Sequence, residues 1–129
     1  MSTEIHDFTE LTVWQVANKI RKDVYKLTEK FPASEKYNLI PQLRRAATSI
    51  AANIAEGFGR YHYQENIQFC RQARGSLEEV RDGMIFANEM GFAPQKECQM
   101  PLEKLIECRQ LLNGYIRSLN KSKSQTLNP

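Results

Sequence analysis

The sequence predicts an all-α fold, and within that class an antiparallel up-down-up-down four-helix bundle. Apolar residues recur at intervals of three and four along four long segments, which is the spacing of one face of an α-helix. No stretch alternates apolar and polar residues with the period of two that a half-buried strand requires. The connections between the segments are short, and short connections favour antiparallel neighbours in a bundle.

The first helix is predicted to run from about Val13 to Lys30. Thr12 followed three residues later by Gln15 matches a capping box, in which side chains bond the free amides at a helix start. The helix should stop at Phe31, because the residue before a proline is pushed out of helical geometry. Its apolar face consists of Val13, Ala17, Ile20, Val24, Leu27 and Phe31.

The second helix carries an apolar face and a polar ridge side by side. We predict that it begins at Pro41 and ends at Gly57, with Gly59 behind it, since a glycine there can close a helix in the left-handed conformation. The apolar face is Leu43, Ala46, Ala47, Ile50 and Ile54, and the ridge is Gln42, Arg45, Ser49, Asn53 and Glu56. Small residues on the outer side indicate close approach of another helix, so we expect this helix to be covered on more than one side.

The third helix is predicted from Tyr63 to Met90, closed by Gly91. Gly75 and Gly83 lie inside it at a cost of about 1 kcal/mol each relative to alanine, which indicates close backbone approach by a neighbour. Ile67 and Ile85 fall on a different face from the apolar line. That line comprises Phe69, Ala73, Ser76, Val80, Met84 and Ala87.

The fourth helix begins either at Pro101 or at Gln95, and we favour a continuous but bent helix from Gln95. Its apolar line is Leu105, Cys108, Leu112, Tyr115 and Leu119. The predicted organisation is therefore an N-terminal arm over residues 1–11, a single bundle domain over 12–119, and a disordered polar tail over 120–129.

Composition sets the class of protein. The chain has 129 residues, 41% of them hydrophobic, and a net charge of +3, which favours nucleic acid only slightly. It has no run of 18 apolar residues that would span a membrane, and its acidic N-terminus lacks the apolar core of a signal peptide. Three cysteines, Cys70, Cys98 and Cys108, do not form a disulfide framework. These features predict a cytoplasmic protein.

Catalytic and cofactor motifs are missing from the sequence. The only histidines, His6 and His62, complete no Glu-x-x-His pair for a di-iron site, and the cysteines lack zinc-ligand spacing. Neither a phosphate-binding loop nor a nucleophile elbow occurs. A carboxylate pair of Glu56 with Glu79 is the sharpest enzymatic idea, but no substrate pocket accompanies it. We therefore predict a protein that is not an enzyme, with no metal and no cofactor.

The polar ridge has a structural and a functional interpretation. Within a bundle, such residues most often form a hydrogen-bond network between helices, because a buried charge must be paired. Residues of the third helix, including Ser76, are the natural partners. We favour this structural network over a ligand site, with Arg45, Ser49, Asn53, Glu56, Arg74 and Glu79 as its members.

Four motifs in combination make the chain resemble a known bacterial family. They are Val13-Trp14-Gln15, Phe31-Pro32, the Arg-Ala-x-x-Ser-Ile-x-x-Asn-Ile-Ala-Glu-Gly pattern of residues 45–57, and the Ala-Arg-Gly-Ser-Leu run of residues 73–77. From about Leu11 to Leu119 the chain resembles the four helix bundle proteins found in intervening sequences of large-subunit ribosomal RNA genes. Their fold relatives, the accessory proteins of diversity-generating retroelements, are pentamers that bind RNA and a reverse transcriptase.

The resemblance implies a non-catalytic, RNA-leaning nucleic-acid-binding accessory protein that assembles as a homo-oligomer, in particular a homopentamer. RNA, DNA and a partner protein such as a reverse transcriptase are the partners that it leaves open, with no role for a membrane. The alternative is an oligomeric protein scaffold without nucleic-acid contact. A mixed-charge solvated surface is the simplest interpretation of one subunit, but a ring would multiply a weak basic patch. The candidate nucleic-acid contacts are Arg44, Arg60, Arg71, Lys121 and Lys123.

Overall fold

The computed structural model describes residues 4–127 of the chain, and within that range it is all-helical with no strand. The four long helices are α1 (Thr12–Thr28), α2 (Leu39–Phe58), α3 (Tyr63–Met90) and α4 (Gln95–Leu127), and two short 3-10 helices span Phe8–Glu10 and Ala33–Glu35. This architecture confirms the predicted four-helix fold. None of the helices in the described range has an apolar stretch of the length and hydropathy that crossing a membrane demands.

Each helix packs against the next one in the chain, and α4 closes the bundle against α1. The direction of the α2–α3 pair follows from its contacts, because Gly57 near the end of α2 lies beside Phe69 near the start of α3. At the other end of the bundle, Lys30 just beyond α1 forms an ion pair with Glu97 in the first turn of α4. These contacts fit neighbours that run antiparallel.

The predicted apolar faces of α1 and α2 form one side of the core. All six residues of the α1 face, Val13 to Phe31, are buried, and so are all five of the α2 face. In α4, Leu105, Cys108 and Leu112 are completely buried. Burial of each large aliphatic side chain contributes about 1.5–3 kcal/mol. The helical period alone therefore located most of the core.

The buried face of α3 differs from the prediction. Ile67, which was assigned to another face, is fully buried, and so are Cys70 and Leu77. Phe69 and Ser76 are only half-buried. Residues spaced by three and four can be grouped into either of two adjacent stripes on a helix. Because α3 contacts both α2 and α4, its buried stripe is the one that faces both neighbours. Leu77 occupies the core in place of its neighbour Ser76, because the leucine side chain is larger and apolar.

Two predicted glycine roles are confirmed, at Gly83 and Gly91, and those of Gly75 and Gly59 are not. A Cβ at Gly83 would lie 2.6 Å from Leu43 Cδ2, so the predicted close packing is confirmed there. Nothing in the described chain lies within 4 Å of a Cβ at Gly75, so that prediction is wrong within one subunit. Gly59 caps α2 with a right-handed φ of −75°, whereas Gly91 closes α3 with a φ of 69°.

The capping box lies upstream of its predicted position. Asp7 and Glu10 form it around the first 3-10 helix, and α1 begins at Thr12 without a side-chain cap. The Gln15 amide instead donates to the Thr9 carbonyl at 2.9 Å. The start of α1 is thus held by contacts with the residues that precede it, and not by a capping box of its own.

α4 is continuous from Gln95 through Pro101, as predicted, but it does not end where expected. The helix extends to Leu127, so a disordered tail beginning at residue 120 is wrong for residues 120–127; residues 128 and 129 lie outside the described range. Leu119 is buried against the core, and Lys123 donates a hydrogen bond to Gln64 of α3. Contacts with α3 thus hold the last turns of α4, although their sequence is polar.

Candidate nucleic-acid interface

Arg44, the first of the predicted nucleic-acid contacts, is half-buried at the end of α1. Its Nε donates to Thr28 Oγ1 at 2.9 Å and its Nη2 to the Tyr25 carbonyl at 3.2 Å. The guanidinium carbon lies 4.7 Å from the centre of the Tyr25 ring. A cation here bonds free carbonyls and complements the negative end of the helix dipole. These contacts make Arg44 a structural tie between α1 and α2.

The other predicted cations lie towards one end of the bundle, where α2 ends, α3 begins and α4 ends. Arg60 stands in the α2–α3 loop, with its guanidinium 4.8 Å from the Phe69 ring and 3.8 Å from Glu65. Arg71 and Lys121 are exposed, and neither side chain makes a hydrogen bond or ion pair with any described residue. We call this end, with the first half of α3 and the last half of α4, the basic end.

Charge is strongly segregated along the α3–α4 pair. Residues 57–77 carry three arginines and one acidic residue, and residues 108–127 carry four cations and no acidic residue. The two segments are neighbours, because Lys123 bonds Gln64 and Arg74 donates to Asn113 at 2.9 Å. Residues 78–107, the other half of the pair, carry seven acidic residues and three basic ones. Residues 57–77 and 108–127 together thus have an excess of six positive charges in a chain whose net charge is only +3. The N-terminal arm, which carries Glu4, Asp7 and Glu10, borders the same end at Ile5 and offsets part of that excess.

The α2–α3 loop presents aromatic rings at the basic end. Tyr61 is 94% exposed, and its ring meets that of His62 edge-on with 5.0 Å between centres. Tyr63 is also exposed, at 41%. These rings were not predicted as a site, although aromatic and basic residues alternate directly after Gly59 in the sequence.

An open cleft of about 440 Å³ lies beside this loop. Leu11, Phe58 and Leu119 contribute its apolar lining, and Asn66 and Tyr115 contribute polar groups. The Asn66 amide donates to the Tyr115 hydroxyl at 3.1 Å. Burial raises the pKa of Tyr115, although the hydrogen bond from Asn66 opposes that rise. The cleft therefore combines apolar walls with neutral hydrogen-bonding groups.

The predicted polar network is present only in part. The Ser49 and Ser76 hydroxyls lie 2.8 Å apart across the α2–α3 interface, and the Asn53 amide donates to Ser49 Oγ at 2.9 Å. Arg74 turns to Asn113 on α4 rather than to the ridge. The side chains of the remaining predicted members, Arg45, Glu56 and Glu79, are exposed and make no ion pair or hydrogen bond within residues 4–127. Their assignment to a network between the helices of one subunit is wrong, because all three are exposed there.

The three cysteines are free thiols buried in the core. Burial raises the pKa of Cys70 to about 12. Burial, reinforced by the charge of Glu107, does the same for Cys108. The pKa of Cys98 is also raised by burial and by the nearby Glu97 carboxylate. Within the described range, His, Cys, Asp and Glu side chains nowhere gather in a group of three that could hold a metal ion.

Comparison with known proteins places the chain in a family. The family model for the 23S rRNA-intervening sequence protein matches residues 9–114. A crystal structure of a protein of unknown function from the S23 ribosomal protein family of Bacteroides thetaiotaomicron is similar in fold, with a TM-score of 0.73 and 18% identity. That similarity covers 81% of this chain and 98% of the other, and no curated protein matches the chain. The chain belongs to the 23S rRNA-intervening sequence protein family.

Proposed function

We propose that the protein is a non-catalytic, oligomeric nucleic-acid-binding accessory protein that prefers RNA, and that its basic end is the binding surface. The observation that carries this proposal is the segregation of charge along α3 and α4. Neutralisation of phosphates by clustered lysines and arginines supplies most of the sequence-independent affinity for nucleic acid. The family description, which names 23S rRNA, favours RNA as the ligand class.

The exposure of Arg71 and Lys121 supports the basic end as the binding surface. A cation already bonded to a protein carboxylate gains little from a phosphate, whereas these two have no such partner among the described residues. We do not include Arg44 among the proposed contacts, because its guanidinium already donates to Thr28 and Tyr25 at the end of α1. Arg60 and Lys123 remain in the set as peripheral contacts, since each is tied to a neighbour on α3.

Assembly into a homo-oligomer, most simply a pentamer, would multiply this surface. The outer side of α2 supports assembly, because Ala52 is exposed and Thr48 is half-buried at positions where a solvated helix usually carries long charged side chains. Exposed Gly75 on the neighbouring helix leaves room for close approach by a second subunit. The cytoplasm is the compartment that we propose for this assembly.

Fluorescence anisotropy with a structured RNA hairpin, at about 50 and 200 mM salt, tests the binding proposal. We expect affinity to fall steeply with salt because phosphate contacts release condensed counterions. Arg71→Glu and Lys121→Glu should each weaken binding by about 1 kcal/mol, or about fivefold, at the lower salt. Lys96→Glu is the matched control, since Lys96 is an exposed cation at the opposite, acidic end of α4.

The result decides between two classes of function. If the intact protein binds neither RNA nor DNA at the lower salt, nucleic-acid binding is excluded and the alternative, an oligomeric protein scaffold, replaces it. If Lys96→Glu weakens binding as much as Arg71→Glu, the basic end is not the binding surface. The same titration with duplex DNA compares the two nucleic acids.

A further inference from the structure

We propose that the α2–α3 loop and the cleft beside it form a site for an unpaired nucleobase, with Tyr61 as the stacking surface. The proposal rests on the proposed function and narrows it, because it assigns single-stranded segments rather than duplex as the ligand of this site. Base pairs in a duplex are stacked inside the helix, whereas bases in loops and single strands are free to stack on aromatic side chains.

The exposure of Tyr61 is the first step in the argument. An aromatic side chain usually stabilises a protein by burying about 150–250 Å² of its surface. Tyr61 leaves 94% of its surface in water at the tip of a short loop. It holds its place beside His62, whose ring meets it edge-on, so one face of the tyrosine ring is free of that neighbour.

Rigidity of the loop is the second step. A Cβ at Gly57 would lie 2.7 Å from Asn66 Oδ1 and 2.9 Å from Phe69 Cβ, so α2 and α3 are in close contact immediately below the loop. The Arg60 amide then bonds the Gly57 carbonyl at 3.0 Å. These contacts fix the base of the loop, so the backbone that carries Tyr61 has a smaller ordering cost on binding.

The cleft supplies the third step. Its volume of about 440 Å³ lies within the range of about 300–1,000 Å³ that is usual for small-molecule sites. A nucleobase is flat and apolar on its faces and polar at its edges. The apolar walls of Phe58 and Leu119 match the faces, and the neutral amide of Asn66 and hydroxyl of Tyr115 match the edges.

Charge distinguishes this site from the other exposed tyrosine. Tyr37 is 83% exposed at the opposite end of the bundle, beside Glu35 and Lys36. Tyr61 instead follows Arg60 and belongs to the basic end, where the phosphates on either side of a stacked base would meet Lys121 and other cations. Aromatic rings set in a positive groove are the usual design of proteins that bind single strands.

The test is an anisotropy titration of the full-length protein with a labelled single-stranded RNA, the single-stranded DNA of the same sequence, and an RNA duplex. Tyr61→Ala should weaken single-strand binding by about 5- to 150-fold, the effect of losing one stacked base. Duplex binding should change by less than about twofold, because phosphate contacts remain. Tyr61→Phe should retain the wild-type affinity, since it keeps the ring. Tyr37→Ala is the matched control and should have no effect.

Each outcome bears on one proposal. If wild type binds neither single strands nor duplex, the proposed function fails. If wild type binds but Tyr61→Ala matches it, or Tyr37→Ala loses as much, the stacking site is overturned and charge-led binding stands. An equal loss of single-strand and duplex affinity in Tyr61→Ala also overturns it. A circular-dichroism melt of each variant confirms the fold, which the exposed position of Tyr61 should leave unchanged.

Discussion

The Arg44 guanidinium on α2 donates a 2.9 Å hydrogen bond to the Thr28 hydroxyl at the end of α1. Thr28 is completely buried, and its hydroxyl in turn donates to the Val24 carbonyl at 2.7 Å. The second guanidinium bond, to the Tyr25 carbonyl, joins the same helix end. One side chain thereby satisfies polar groups at the end of α1 and fixes that end against α2.

Arg44→Ala should therefore lower the free energy of unfolding by about 1–3 kcal/mol, because a hydrogen bond from a charged donor and its dipole interaction are both lost. Urea denaturation followed by circular dichroism measures this. Arg71→Ala is the control, and as an exposed arginine without a described partner it should change stability by no more than about 0.5 kcal/mol. Equal stability of the two variants would show that the Arg44 contacts are not structural.

Gly57→Ala should destabilise the protein by about 1–3 kcal/mol, the usual cost of overpacking a contact. The new Cβ would meet Asn66 Oδ1, Phe69 Cβ and the Asn66 carbonyl oxygen, at 3.1 Å for the last, and a backbone atom cannot turn aside as a side chain does. Thermal denaturation measures the effect. Gly59→Ala is the control, because its Cβ would come no closer than 3.5 Å to another atom. A Gly57→Ala variant as stable as wild type would mean that α2 and α3 separate there at little cost.

The contacts of Arg44 and Gly57 could not be predicted from the sequence, whereas the buried helix faces could. Periodicity located the buried faces of α1, α2 and α4, because those faces depend only on which residues share one side of a helix. It could not determine that Arg44 turns back to the end of α1 or that Gly57, rather than Gly75, lies at a helix contact. Those facts depend on the distances between helices, which the pattern within one helix does not contain.

The candidate site was predicted less well than the fold, for a related reason. Arg60, Arg71, Lys121 and Lys123 were chosen from motif position and expected exposure, and they lie towards the same end only because α3 and α4 run antiparallel. Tyr61 was not predicted as a site residue, because the candidates were cations and because helical periodicity carries no information on exposure within a loop. Its exposure follows from the loop geometry, which no residue count predicts.

The buried thiols give a prediction about pH. In the folded chain the pKa values of Cys70 and Cys108 are both raised to about 12 by burial, against an ordinary value of 9.0. Below pH 9 the thiols are neutral in both states, so their contribution to stability is complete. As the pH rises from 9 towards 12, the unfolded thiols ionise first, so the free energy of unfolding should fall by roughly 1 kcal/mol per pH unit for each thiol.

Urea denaturation at pH 8, 9 and 10 measures that decline. The double variant C70A/C108A is the control, and its stability should decrease less between pH 9 and 10 than that of wild type. Tyr115, whose pKa is raised mainly by burial, lowers stability further at higher pH in both proteins. If wild type and the double variant decline in parallel, ionisation of these thiols does not limit alkaline stability.

The final prediction concerns the outer side of α2, which we expect to be the contact between subunits. Ala52 is exposed in the single chain, so replacing it with a longer residue leaves the bundle itself intact. Ala52→Arg should nevertheless dissociate the oligomer, because a long cation would prevent close approach of a second helix surface.

Size exclusion coupled to light scattering measures the mass of each variant. Ala33→Arg, at an exposed alanine in the second 3-10 helix, is the matched control and should retain the oligomer. A wild-type protein that elutes as a monomer of 14.9 kDa would contradict assembly itself. An Ala52→Arg variant that stays oligomeric would instead place the contact on another face of the bundle.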